Sequence, residues 1–361
     1  MRLLIINFAM DKNSPVWAWQ ASVADALAKN CQSVLVLTEQ IGDYDAPPNV
    51  IVELLKHRAY GIPYQLGGCV VTQWRLYKRL RSERIDACFI HMNHRWSYRL
   101  YPLLGMLDIP ILLWFAHGTT PFSLRLALFS ARRVITSSPE GFRIPSPKVR
   151  IIGQGIDTDL FRPNNETPDP DSIVTISRIS RRKRIDLIIR AIRILKDIAP
   201  HHNFHLTVIG APLISDDRLY AQELKDLRRA EGLDRNVAFS GFIPHRKLPS
   251  LYQTAFLHVN LSATGSMDKS VLEALSCGSM ILTTNISFRR MLEKNPEFFI
   301  PSDKPEDIAE RILQLRMRTT VYDKNELRAL IVGRHDLTSY VQKIFRELSE
   351  IAHYGKNTPH H

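Results

Sequence analysis

The chain has 361 residues, with 48 Lys and Arg against 36 Asp and Glu and a formal charge of +12 at pH 7. That length exceeds one ordinary core and fits two domains of about 150 residues each. A composition 45% hydrophobic and 23% charged excludes a disordered or collagen-like protein. The basic surplus favours an anionic partner (nucleic acid, an acidic membrane surface or a phosphorylated substrate) without choosing among them.

In chain order, MRLLIINFAM is stopped by DKNSP with no small-residue cleavage site, so it reads as a first strand over 2–9 and not as a signal peptide. SVLVLTE (33–39), IDACFIHM (85–92), IPILLWFA (109–116) and RVITSS (133–138) follow as further strand candidates. Such near-continuous apolar runs are typical of parallel strands covered on both faces. The longest run, PILLWFA at 110–116, is too short to span a membrane. RPNNETPDPDS at 162–172, rich in Pro, Asn and acids, reads as the linker. The alternation then restarts with SIVTIS (172–177), FHLTVIG (204–210), NVAFSGF (236–242), AFLHVNL (255–261), SMILTTN (279–285) and EFFIP (297–301). Ile185, Ile188, Ile192 and Leu195 place one apolar helical stripe on 184–197. Two βα-alternating halves predict an α/β chain of two doubly wound, Rossmann-like domains facing a cleft. The predicted boundaries are 1–165, 166–335 and a helical tail, 336–361, packing back on the first domain.

Four cysteines lack a CxxC pair, and thirteen histidines make no HExxH. No metal is therefore expected, and free thiols fit a reducing cytoplasm. His91, His94 and His117 read as polar residues at strand ends rather than as a metal trio. No P-loop or GxSxG elbow is present, and GQG at 153–155 reads as a tight turn.

Two segments carry candidate chemistry. In SRISRRKRID, Arg178 closes a strand and Lys183 falls in the first turn of the following helix, a place where anions bind. Cations there oppose the helix dipole unless an anion is present; the plainer alternative is a solvated helix start. In SATGSMDKSVLEALSCG, a strand ends near Leu261 and a helix opens near 266–268. Its small residues let backbone amides approach a ligand, with Asp268, Lys269 and Glu273 nearby. Alternatively, Ser266 and Asp268 are helix caps and Glu273 is an exposed acid.

Together, R-x4-K after a strand, GFIPHRKLPSLYQTAFLHVNLS and V-L-E-A-L-S-C-G resemble the retaining GT-B glycosyltransferases, family 4 in particular. GQGIDTDLFRP (153–163) is similar to that family's interdomain connection, and HGTTPFSLRLALFSARRVITSSPEGF to the end of its acceptor domain. The likeness runs in order over 110–285; residues 1–109 match in pattern only. It implies the GT-B fold and transfer of a hexose from a nucleotide diphosphate sugar to a glycan or lipid-linked acceptor. Configuration would be retained, in cell-surface polysaccharide or glycolipid synthesis, with no cofactor and no metal.

Carried over by position, Arg178 and Lys183 would hold the donor diphosphate. Glu273 would be the second acid of the family's E-x7-E motif, on the ribose. His117 would face the transferred sugar, Gly210 would lie beside the phosphates, and Phe242–Ile243 would border the base. Ser266, Met267, Asp268 and Lys269 would belong to the donor-binding set; Asp11, Lys12 and Trp17 would belong to the acceptor-side loop. Gly265 occupies the place of the motif's first acid, leaving Asp268 or the amides of 266–268 to replace it. Two other readings are a nucleotide-sugar-binding protein without transfer and a basic nucleic-acid-binding protein, though no nucleic-acid module is recognised. Finally, residues 54–107 carry nine Lys and Arg against two acids. This is either a solvated helix or contact with an anionic membrane, on the inner face of the cell membrane.

Overall fold

Strand β1 (Arg2–Met10) shows how the first core is built. Leu3 and Ile5 point into one apolar layer, Leu4 and Ile6 into the other, and all four are buried. That two-sided burial requires helices on both faces of the sheet. The computed structural model describes residues 1–14, 17–55, 66–318 and 322–356, without the side chains of 66–73 and 354–356. Parts of three stretches named above therefore lie outside the described residues: 15–16 of the acceptor-side loop, 56–65 of the basic stretch and the end of the tail.

The chain divides into two units, Met1–Gly153 with Leu337–His361, and Gln154–Asp336. In the first, β1 is joined by β2 (Ser33–Ile41), β3 (Val50–Leu54), β4 (Ala87–His91), β5 (Ile111–Trp114), β6 (Arg133–Thr136) and β7 (Val149–Ile151). All pair in parallel, in the order β3-β2-β1-β4-β5-β6-β7. Helix α1 (Ala18–Ala28) and the C-terminal helix Leu337–Lys356 cover one face. The C-terminal helix buries Tyr340, Ile344, Leu348 and Ile351, and its Glu347 and Glu350 hold Arg133 of β6. Helices α2 (Leu66–Glu83), α3 (His94–Met106) and α4 (Phe122–Ser130) contribute to the other layer.

In the second unit, β8 (Asp169–Ile176), β9 (His205–Ile209), β10 (Val237–Gly241), β11 (Ala255–Asn260) and β12 (Met280–Thr283) form a parallel sheet in the order β10-β9-β8-β11-β12. Helix α5 (Ile185–Ile198) buries the expected stripe of Ile185, Ile188, Ile192 and Leu195. In both sheets the strand order reverses beside the first strand, between β1 and β4 and between β8 and β11. Ligands of open α/β sheets bind beyond the carboxyl ends at such points.

Several sequence expectations are corrected. The division falls at Gly153, earlier than 165, because the next residues are built into the second unit. Ile156 N–H donates to His335 O at 2.9 Å, and Phe161 is buried in that core while its carbonyl accepts from Arg328 at 2.7 Å. The end of the supposed linker, Asp169–Ser172, is the start of β8. Pro170 is tolerated there because the register shifts between Ala255 and Leu257 of the neighbouring strand. EFFIP is no strand: Pro296 opens a single turn, and Phe299 makes only an isolated bridge to Thr283. Two short edge strands, β3 and β7, were not expected. Among the described residues, no helix is long and apolar enough to cross a membrane.

Candidate active site

The second unit gathers its chemistry at the carboxyl edge of the sheet. After β8 the chain passes Ser177 and Arg178, and after β9 it passes Gly210, whose φ is +140°. A Cβ on Gly210 would lie 1.8 Å from the Ser177 carbonyl oxygen, so only glycine lets these two strand ends run so close. Arg178 stays 40% exposed at this edge, with Nε 3.6 Å from Asp217 Oδ2. Asp217 is itself buried and accepts from Leu213 N–H at 3.2 Å, so it is an anchored counter-charge.

Lys183 does not lie in the first turn of α5 as expected. It ends a separate short turn, Arg181–Lys183, and Arg184 in the left-handed region (φ 53°) divides that turn from the helix at Ile185. This redirects Lys183 toward the β11 loop, where Nζ donates to Asp268 Oδ1 at 2.8 Å and to Ser262 Oγ at 3.3 Å. The cationic run is also not an unpaired cluster: Arg181 meets Glu223 at 2.5 Å and Arg184 meets Asp303 at 2.8 Å. The chain therefore does not build the vacant cationic helix start that the dipole reasoning assumed. Arg178 and Lys183 nonetheless keep their places at the sheet edge.

Helices α6 (Ser215–Ala230) and α7 (Leu248–Thr254) precede β11, and the loop from β11 to α8 (Lys269–Ser276) is held by its carbonyls. Gly265 O accepts from Ser287 Oγ and Ser266 O from Asn285 Nδ2, each at 2.7 Å. Ala263 N–H donates to Arg182 O, tying the loop to the Lys183 turn. Helix α8 runs Lys269–Ser276, opening slightly later than expected. Asp268 occupies its N-cap position but makes no capping bond; Ser266 Oγ instead lies 3.4 Å from Thr264 Oγ1. Burial opposes the Asp268 charge, yet the adjacent Lys183 ammonium, with Ser262 and Asn260, holds the carboxyl below its ordinary pKa. Its second oxygen, Oδ2, is buried without a hydrogen-bond partner among the described residues.

Glu273 is not an exposed helix acid. It is buried, with Oε1 2.8 Å from His245 Nε2 and Oε2 accepting from Tyr252 O–H at 3.0 Å. Burial would raise its pKa, but His245, Lys269 and Tyr252 together keep it below the ordinary carboxylate value. Burial drives Lys269 well below the ordinary lysine range, against the pull of Glu273. Phe242, exposed, and Ile243, partly buried, follow β10 on the same edge. The loops thus bring Arg178, Lys183, Gly210, Phe242, Ile243, Ser266, Met267, Asp268, Lys269 and Glu273 to one edge of one sheet.

Sequence reasoning missed Asp217, His245, Tyr252 and His258 as parts of this edge. His245 and Tyr252 stand in the GFIPHRKLPSLYQTAF stretch, where the motif was visible but the pairing was not. His258, on β11, is buried with neither ring nitrogen hydrogen-bonded among the described residues, and burial pulls its pKa down to about 4.

In the first unit the corresponding edge carries Asp11, Lys12 and Trp17 after β1, His91 and His94 around the end of β4, and His117 after β5. Asp11 Oδ1 accepts from Asn13 N–H at 2.8 Å, Lys12 Nζ lies 3.4 Å from Asp25, and Trp17 stacks on Phe8 at 4.5 Å. His117 Nδ1 is 2.8 Å from Thr119 Oγ1. His94 bonds Ser123 Oγ at 2.9 Å, and burial lowers its pKa to about 4. Among the described residues, no group of three or more His, Cys, Asp or Glu is placed to hold a metal ion.

Each unit is thus a parallel, doubly wound sheet, and the second carries Arg178 and Lys183 beyond the carboxyl end of its first strand. Residues 157–344 match the family model of glycosyl transferases group 1, and the chain belongs to that family. It is 27% identical over 233 residues to a phosphatidylinositol N-acetylglucosaminyltransferase subunit of Arabidopsis thaliana, covering 58% of this chain and 50% of that protein. Mannosylfructose-phosphate synthase of Agrobacterium fabrum is 24% identical over 155 residues, covering 40% and 34%. The chain thus spans half or less of the length of these curated relatives. Among solved structures, Anabaena Alr3699/HepE in complex with UDP aligns with a TM-score of 0.77 at 17% identity, covering 97% of this chain and 100% of that one. A glycosyltransferase from Rickettsia africae aligns at 0.78 and 15% identity, covering 99% of both. These establish the GT-B fold.

Proposed function

We propose that this protein transfers a hexose from a nucleotide diphosphate sugar to a glycan or lipid-linked acceptor, with retention of configuration and without a metal or other cofactor. The observation that carries the reading is that Arg178 and Lys183 both follow the carboxyl end of β8, each beside an anchored carboxylate, where Gly210 lets the ends of β8 and β9 run close together. Breaking the anomeric C–O bond puts negative charge on the departing phosphate, and two fixed cations stabilise that charge more in the transition state than in the bound donor. The acceptor hydroxyl attacks from the same face and passes its proton to the departing phosphate oxygen, so no protein base is required.

Asp268 holds the Lys183 ammonium in place at the sheet edge, and its Oδ2 is the acceptor for a sugar hydroxyl. It thereby replaces the acid that Gly265 omits. Glu273, held ionised by His245 and Tyr252, retains lone pairs for the ribose hydroxyls. The names of the relatives support sugar transfer, and the phosphatidylinositol in one supports a lipid-linked acceptor. The Anabaena complex makes UDP the first nucleotide to test. The four irregularly spaced cysteines support a cytoplasmic setting, and cell-surface polysaccharide or glycolipid synthesis is the role that fits such an acceptor.

A second reading, donor binding without transfer, is favoured by Gly265 alone. Incubating the chain with UDP-sugars and candidate acceptors, and following nucleoside diphosphate release and the anomeric configuration of product by NMR, separates the two. Donor binding with no product would leave only the second reading.

A further inference from the structure

Helix α4 of the first unit is apolar on both of its sides. Leu124 and Ala127 are buried in the core, whereas Phe122, Arg125, Leu126 and Phe129, at i, i+3, i+4 and i+7, form the outward face. Phe122 and Phe129 are 74% and 72% exposed. The neighbouring α3 turns Tyr101, Pro102 and Met106 outward, Met106 at 73%, and the Tyr101 and Phe129 rings meet at 5.9 Å. The two outward faces are therefore one continuous apolar surface. Lys148 fixes its edge by donating to carbonyls at the end of α4, those of Leu128, Phe129 and Ala131.

A contiguous exposed patch of large apolar side chains marks a binding surface. Its charge identifies the cover. From 94 to 132 there are four arginines, Arg95, Arg99, Arg125 and Arg132, and one acid, Asp108. Arg95, Arg99 and Arg125 form no ion pair among the described residues. Aromatic and apolar side chains beside guanidinium groups without carboxylate partners match a bilayer interface with anionic headgroups, where rings enter the acyl boundary and arginines stay among phosphates.

We infer that the α3–α4 face docks on an anionic lipid surface. This inference concerns the first unit alone, does not depend on sugar transfer, and moves the membrane contact suggested by the 54–107 stretch toward α3 and α4. It is tested by co-sedimenting the full chain with phosphatidylcholine vesicles and with vesicles containing about 30% phosphatidylglycerol, at low and at physiological salt. The unmodified protein should bind the anionic vesicles, more weakly at higher salt. Phe122→Asp/Phe129→Asp and Arg95→Gln/Arg99→Gln/Arg125→Gln should each lower partition by about tenfold or more, with unchanged circular dichroism and an unchanged thermal shift on nucleoside diphosphate. Equal partition to both vesicle types, unaffected binding by either variant, or no binding at all would overturn the proposal. A dimer that Phe122→Asp/Phe129→Asp converts to monomer without any lipid binding would also overturn it, assigning the face to a second copy.

Discussion

Lys183 and Asp268, 85 residues apart in sequence, form a 2.8 Å ion pair in which the two side chains are only 16% and 12% exposed. Removing one partner of such a pair strands the other charge. Lys183→Ala should therefore destabilise the protein by about 1–3 kcal/mol, whereas Arg178→Ala should cost less, because Arg178 is more exposed and Asp217 keeps its bond from Leu213 N–H. Adding Asp268→Ala to Lys183→Ala should recover much of the loss, which urea melts of the unmodified chain, both single variants and the double variant would reveal as a positive coupling. Additive losses would mean the pair is not coupled in solution.

The two carboxylates of the donor loop should separate by function. Glu273→Gln keeps the shape but weakens charge-assisted hydrogen bonds, so affinity for free nucleoside diphosphate should fall by about 1–2 kcal/mol. Asp268→Asn should spare that affinity and impair turnover or discrimination among donor sugars. Calorimetric titration with UDP checks the affinities, and competing donor sugars check the rest; the reverse pattern would require the sugar pocket to be redrawn.

Much of this architecture was legible in the sequence because the central strands are unbroken apolar runs. β3 and β7 escaped notice because they are short edge strands with exposed residues such as Ile51 and Ile151. The supposed linker misled because its last Pro and Asp residues belong to the exposed, bulged start of β8. Arg178 could be placed from a strand end and a motif. The partners of Lys183 and Glu273 could not, since Asp268, His245 and Tyr252 reach them through tertiary contacts 85, 28 and 21 residues away in sequence. A left-handed Arg184, which turns Lys183 away from α5, leaves no signal in side-chain periodicity.

Acid should weaken the protein through His258. Its native pKa, about 4, lies below the ordinary 6.5, so between those values the unfolded chain binds the proton and the native chain does not. Stability is then full above about pH 6.5 and falls as pH drops toward 4, by up to about 3 kcal/mol from this group. Asp268 and Glu273, both lowered, lose their contributions only as pH falls through and below the ordinary carboxylate range. In His258→Leu the fall in Tm between pH 6.5 and 4 should be shallower; an unchanged slope would show that His258 does not titrate this way.

Gly210→Ala tests the close approach of the β8 and β9 ends. The added methyl would meet the Ser177 carbonyl and must also adopt a φ of +140°, so a loss of about 3 kcal/mol or more is expected. Nucleoside diphosphate affinity should fall as well, because the Ser177–Arg178 turn must move. A variant with native Tm and native affinity would show that the turn is looser than described.

The most direct measurement is the rate of nucleoside diphosphate release from donor sugar in the presence of acceptor, compared between the unmodified chain and Arg178→Ala, each with and without EDTA. Removing one preorganised donor to the developing phosphate charge should lower turnover by roughly 10²–10³, while EDTA should change neither protein's rate because fixed cations do the work of a metal. A near-normal rate for Arg178→Ala, or activity abolished by EDTA and restored by Mg²⁺ or Mn²⁺, would contradict the account.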